Sequence, residues 1–157
     1  MRKTPITASP DPPDAAGAWL DLERLARVEV SSEEPGHPIE GALGRSGGQG
    51  WRSATPGRQT IRLIFDVLQD IQRIWLCFDE TQFPRTQEFC LRWSPGESEP
   101  FREILRQQWT FSPPSTTREI ENYAVHLHSV HALELEIEPD RSGLGQAPAS
   151  LSRWRLQ

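Results

Sequence analysis

Lysine is almost absent from this chain: of 17 basic residues only Lys3 is a lysine, and the rest are arginines. The planar guanidinium fork suits fixed, two-pronged contacts with carboxylates, phosphates or sugar hydroxyls. Asp and Glu total 22, which leaves a net charge of −5. An acidic chain has no global attraction for a phosphate backbone, so direct nucleic-acid binding is disfavoured unless arginines cluster locally. Cysteine is scarce too. Cys77 and Cys90 are too few for a disulfide framework and lack metal-ligand spacing, so two free thiols are expected. No apolar run approaches the ~20 residues that span a bilayer. The opening "MRKTPITASPDPPDAAG" has no apolar stretch of signal-peptide length. The expectation is a soluble cytoplasmic protein with no membrane partner.

Catalytic signatures are also missing. The glycines of "GRSGGQG" are not followed by Lys-Ser/Thr or a helix pattern, and no nucleophile elbow occurs. A phosphate cradle is therefore excluded; no enzyme activity and no cofactor are expected. Tyr and Met occur once each, whereas Trp and Phe occur six times each, so large rigid rings must fill much of the core. A length of 157 residues is one domain's worth of chain. Its 14 prolines and 11 glycines imply many turns, which suits a β-rich fold better than a helical bundle.

Residues 1–13, with Pro5, Pro10, Pro12 and Pro13 and few apolar side chains, read as a disordered amino-terminal arm. Residues 14–157 read as a single domain. Trp19, Leu22 and Leu25 have helical spacing, which suggests a short helical turn before the strand "RVEVSS". Residues 36–50 read as a long Gly-rich loop that carries Trp51 and Arg52 up to a Pro56-Gly57 turn. "TIRLIFD" then alternates cleanly, with Ile61, Leu63 and Phe65 on one face. "RIWLCFDE" and "EFCLRWS" read as a hairpin about Phe83-Pro84. That pairing joins Ile74, Leu76 and Phe78 to Phe89, Leu91 and Trp93 on one surface and makes Cys77 and Cys90 possible neighbours. "FREILRQQWTF" fits a strand period, as do "NYAVHLH", "ALELEIEPD" and, as one last strand, "ASLSRWRL". Seven or eight short strands with one apolar face each imply an all-β antiparallel β-sandwich.

The motif order "VEVSSEEPGHPIEGAL", "GWRSATPGRQTIRLIFD", "RIWLCFDE", "EFCLRWSPGESEPFREI" and "ALELEIEPD…ASLSRWRL" resembles the F5/8 type C (discoidin) family over roughly residues 26–156. The resemblance implies a galactose-binding-like jelly roll whose ligand, a carbohydrate or glycoconjugate, is held by loops at one end. "SSEEPGHPIEGAL" followed by "GWRSATPGRQTI" also resembles the amino-terminal domain of the eukaryotic single-strand-break repair scaffold protein. That local likeness implies an intracellular protein-interaction or DNA-repair-associated module with a protein ligand. Calcium-holding family members use an Asp in the acidic-Gly turn and a Glu near the last strand. This chain has Glu40-Gly41 and the acid-free "LSRWRL", so no calcium is expected.

Each candidate site residue has a structural alternative. A loop Trp followed by a turn reads first as a core plug, so Trp51 is expected to seal the sandwich end; the other reading is a ligand platform. Arg52 beside it is expected at the rim, in an ion pair or against a ligand. His37, Arg58 and Arg85 in loops, with Trp109, complete a candidate set that supplies planar donors and an aromatic face for a sugar. His126 and His128 in "HLHSVH" project to one face of a strand, where Glu134 or Glu136 can join them. With no third ligand at a defined spacing, an exposed sheet face is the expected role of that pair.

Overall fold

A computed structural model describes residues 19–45 and 48–157. The arm expected over residues 1–13 lies outside the described residues. Within them the chain forms the expected antiparallel β-sandwich. The helical spacing of Leu22 and Leu25 gives a single turn, α1 (Leu22–Leu25), and a second turn, α2 (Glu40–Leu43), sits in the Gly-rich segment. The strands are β1 (Ala26–Val30), β2 (Trp51–Pro56), β3 (Gln59–Asp79), β4 (Arg85–Ser94), β5 (Arg102–Phe111), β6 (Arg118–Glu138), β7 (Pro148–Leu151) and β8 (Arg153–Leu156).

Two strands are much longer than the sequence suggested. β3 and β6 each run for 21 residues and pair with each other almost throughout. Three register irregularities between Ile64 and Arg73 bend this ribbon in its middle, as bulges do by leaving extra residues unpaired. The bend carries Ser129 at φ 56°, with its amide donating to Asp70 Oδ1 at 2.9 Å. The first half of β3 lies between β1 and the second half of β6, which continues to β4 and β5. The second half of β3 lies between β8 and the first half of β6. Folding the ribbon over therefore puts its halves in opposite layers and brings both ends of β3 to the same rim.

The expected hairpin between "RIWLCFDE" and "EFCLRWS" does not form. The second half of β3 pairs with β6 and β8, whereas β4 pairs with β5 and β6. The two apolar triplets still meet, but face to face across the core: the Phe78 and Phe89 rings stack at 5.3 Å. A loop that crosses between layers offers the same apolar surface as a hairpin, so alternation alone does not distinguish them. Cys77 consequently stands opposite Ile120 and Arg153, and Cys90 opposite Arg106 and Glu136, so they are not ladder neighbours. Both thiols are free and buried.

Ile61, Leu63, Ile74, Leu76, Leu91, Leu133, Leu135 and Ile137 are wholly inaccessible and form one core with Trp51 and Trp154. Each such side chain contributes roughly 1.5–3 kcal/mol by leaving water. Glu134 points away from the core as expected, yet it is covered by Arg62 (Nε–Oε2 2.6 Å) and Arg92 (Nη1–Oε1 3.1 Å). "ASLSRWRL" is broken at Ser152 into β7, which pairs with β2, and β8, which pairs with β3.

Candidate functional site

Trp51 and Arg52 lie on a strand, not in a loop: β2 pairs with β7 through Trp51–Leu151 and Arg52–Ser150. The strand is too short and irregular to show as alternation. Its start is set by Gly50, whose φ of 79° is the left-handed conformation and whose hypothetical Cβ would lie 2.9 Å from Leu151 O. Trp51 is 1% exposed, and its indole N–H donates to Ser32 O at 3.2 Å. It is the core plug, with one edge reaching the rim. Arg52 alternates to the outside.

Backbone bonds bring three polar residues together beside Trp51. Pro35-Gly36 turns the chain so that His37 N–H donates to Glu34 O at 2.9 Å. Glu34 N–H then donates to Arg52 O at 2.9 Å, and Arg52 N–H donates to His37 O at 3.1 Å. The Arg52 guanidinium meets Glu34 Oε2 at 3.6 Å, with both side chains nearly half exposed. The His37 ring has no hydrogen-bond partner among the described residues and is half-buried at the rim.

Opposite this bracket the end of β3 supplies a second wall. Asp79 accepts from Arg118 Nε at 2.7 Å and from the Ser152 hydroxyl at 2.7 Å. Glu80 accepts from Arg85 Nε at 2.7 Å through one oxygen. Its other oxygen accepts the backbone N–H groups of Gln82 (3.1 Å) and Phe83 (3.4 Å). One carboxylate thus shapes the 80–84 turn and leaves the Phe83 ring 40% exposed. Between the two walls lies a cleft of about 440 Å³, lined by Glu34, His37, Arg52, Asp79, Glu80 and Phe83 with Gln49, Gln82, Ser150 and Ser152. That volume is within the range of small-molecule sites.

Of the five residues singled out in the sequence, the structure brings His37 and Arg52 into this cleft and leaves three elsewhere. Arg58 caps the outer sheet face, paired with Glu138 at 3.4 Å and Glu136 at 3.9 Å. Arg85 is internal. Its side chain is fully covered, it donates to Pro139 O at 2.8 Å and Gln87 Oε1 at 3.1 Å, and its guanidinium lies 4.9 Å from the Phe111 ring. It therefore acts behind the wall, through Glu80, and not at a ligand. Trp109 is half-buried on β5 opposite Gln87 and packs on the core edge.

Glu34, Asp79, Glu80 and Phe83 were missed. Phe83 alone carried a readable signal, as an aromatic ring in an otherwise polar turn, "ETQFPR". The Ser31-Ser32 pair proves structural: both hydroxyls donate to Gln59 Oε1 at 2.7 Å. His126 and His128 lie on an exposed face, with His128 Nδ1 3.8 Å from Asp70. Among the described residues, no group of three or more His, Cys, Asp or Glu side chains is placed to hold a metal ion. No described helix is long and apolar enough to cross a membrane.

No protein-family model matches the chain, and no curated protein matches it by sequence. Solved structures do. A carbohydrate-binding module from Clostridium perfringens, CpGH89CBM32-5 in complex with GalNAc-β-1,3-galactose, superposes with a TM-score of 0.64 at 14% identity, covering 88% of this chain and 99% of that one. The family 32 carbohydrate-binding module of C. perfringens NanJ, in complex with galactose, gives 0.61 at 11% identity, covering 88% and 96%. Reduced XRCC1 bound to the catalytic domain of DNA polymerase β gives 0.60 at 15% identity, covering 85% and 96%. Likeness at such identities is likeness of fold. The bent β3/β6 ribbon, the two antiparallel layers and these superpositions together establish that the chain has the galactose-binding-like jelly-roll fold.

Proposed function

We propose that this protein is a non-catalytic binding module that holds a carbohydrate in the rim cleft between Arg52 and Phe83. The observation that carries the reading is the composition of that cleft. A planar guanidinium, an unpartnered imidazole, two amides and hydroxyls suit sugar hydroxyls, and an exposed phenyl ring suits the apolar face of a pyranose. The carbohydrate-binding modules with the same fold support it. Glycan-array screening followed by calorimetry against galactose and GalNAc-β-1,3-galactose tests it. Binding is expected, and Arg52→Ala and Phe83→Ala should each weaken it about tenfold or more while leaving the melting temperature nearly unchanged. Flat traces across the array would reject the carbohydrate reading.

A second reading, an intracellular protein-interaction or repair-associated module, is supported by the fold shared with XRCC1 in its polymerase complex. It is favoured over the first if a partner protein binds stoichiometrically, Phe83→Ala abolishes that binding, and no glycan competes.

A further inference from the structure

The walls of the rim cleft carry their charges in a consistent order. Three carboxylates line it: Glu34, Asp79 and Glu80. Each is held by an arginine, but only Arg52 shares the cleft. Arg85, the partner of Glu80, has no solvent-accessible side-chain surface. Arg118, the partner of Asp79, lines an adjoining recess of about 190 Å³ instead. The Glu80 pair therefore acts as a dipole whose negative end forms the wall and whose positive end stands behind it, whereas Arg118 stands to one side, partly exposed in a recess that Asp79 also lines. The third pair is loose, with Arg52 Nη1 and Glu34 Oε2 3.6 Å apart and both open to solvent. A ligand bearing positive charge meets carboxylates at closest approach, whereas one bearing a carboxylate or phosphate meets like charge.

Resting on the carbohydrate reading above, we infer that the cleft selects sugars by charge: it binds an amino sugar in preference to the matching neutral sugar and excludes the matching uronic acid. Glu34 is the residue that makes the discrimination, because its carboxylate is exposed and only loosely paired. Asp79 and Glu80 are saturated by short hydrogen bonds and supply the field rather than a direct contact. The same field argues against a nucleic-acid phosphate in this cleft.

The test is calorimetry of the whole chain against two matched series: galactosamine, galactose and galacturonic acid, and glucosamine, glucose and glucuronic acid. In whichever series binds, the amine is expected to be about fivefold tighter than the neutral sugar, the size of a partly screened ion pair. The uronic acid should show no heat above buffer. Glu34→Gln should abolish the amine preference and admit the uronic acid, since Arg52 is then unopposed. Raising the salt should shrink the amine preference in the parent chain. Neutral and amino sugars binding alike, a uronic acid binding as well as the amine, or an amine preference that survives in Glu34→Gln would overturn the charge selection and leave carbohydrate binding standing. No heat from any member of either series would also overturn the charge selection, and together with flat traces across the glycan array it would overturn carbohydrate binding as well.

Discussion

Glu119 lies wholly buried between the two layers at the start of β6. Gln87 Nε2 donates to one of its oxygens at 3.1 Å, and the other has no partner among the described residues. Burial, with Glu121 beside it adding to the effect, pushes its carboxyl up to about 9; Arg85 on β4 pulls the other way. Tyr123 and Gln107 close the seam by bonding to Glu121. A carboxyl with a raised folded-state pKa keeps its proton in the native state after the unfolded chain has released it. Its contribution to stability is therefore complete below about 4.5 and is lost as pH rises towards about 9. Melting temperatures should fall by several degrees, as a rough figure, between pH 5.5 and 8.5. In Glu119→Gln, which cannot ionise, that fall should largely disappear; an unchanged slope in the variant would mean that other groups set it. The same seam explains Arg85, whose burial the sequence hides because a buried arginine and a rim arginine are the same letter.

At the scale of elements, the site depends on β2, the strand most easily overlooked. Its register with β7 is shifted between Arg52 and Pro56, and the Pro56-Gly57 turn, with Gly57 at φ 86°, ends it. Open space surrounds Gly57, but a Cβ on Gly50 would lie 2.9 Å from Leu151 O and 3.0 Å from the Cα of Ser152. Gly50→Ala should destabilise the fold by about 1–3 kcal/mol, since a side chain there meets both an unfavourable φ and fixed backbone atoms. Chemical denaturation would read this directly, and Gly57→Ala, strained only in φ, should cost less. A Gly50→Ala protein of parental stability would show that the entry to β2 is not fixed as described. Arg153 and Arg155 of β8 brace the same approach from behind: Arg155 donates to Ala42 O and Gly44 O at 2.8 Å each, and Arg153 to Gly48 O at 3.1 Å. These arginines, which ended a strand pattern in the sequence, hold the Gly-rich segment that leads to Trp51.

For the whole molecule the core is continuous from Leu22 to Leu156, with no apolar cluster standing apart among the described residues. One core implies one cooperative transition. Cys77 and Cys90 report on it from separate places: Cys77 lies under Asp79, Arg118 and Arg153, and Cys90 donates to Glu103 at 3.3 Å on the other layer. Burial, aided by Asp79, pushes the Cys77 thiol up to about 12, and burial with the Glu103 bond pushes Cys90 up to about 11. Both thiols should resist an aromatic disulfide reagent at pH 8 and become reactive together, at the denaturant midpoint seen by circular dichroism. One equivalent reacting in native buffer would show that one layer opens alone.

The sequence by itself determined which side chains are inside. Ile61, Leu63, Leu133, Leu135 and Ile137 recur with period two, and that period survives whatever strand lies beside them. It also indicated that the layers are antiparallel and that Trp51 seals an end with Arg52 at the rim beside it. Tertiary structure alone decided which strand pairs with which. The bend in β3 and β6 is held by an unpaired stretch and a bond from Ser129 to Asp70, 59 positions apart, which leave no periodic trace. It also decided that Glu34, Asp79, Glu80 and Phe83 share a cleft while Arg58, Arg85 and Trp109 do not. Burial of apolar groups is written locally, one residue at a time, whereas the direction in which a charge faces depends on its partner, and here the partners are up to 113 residues away.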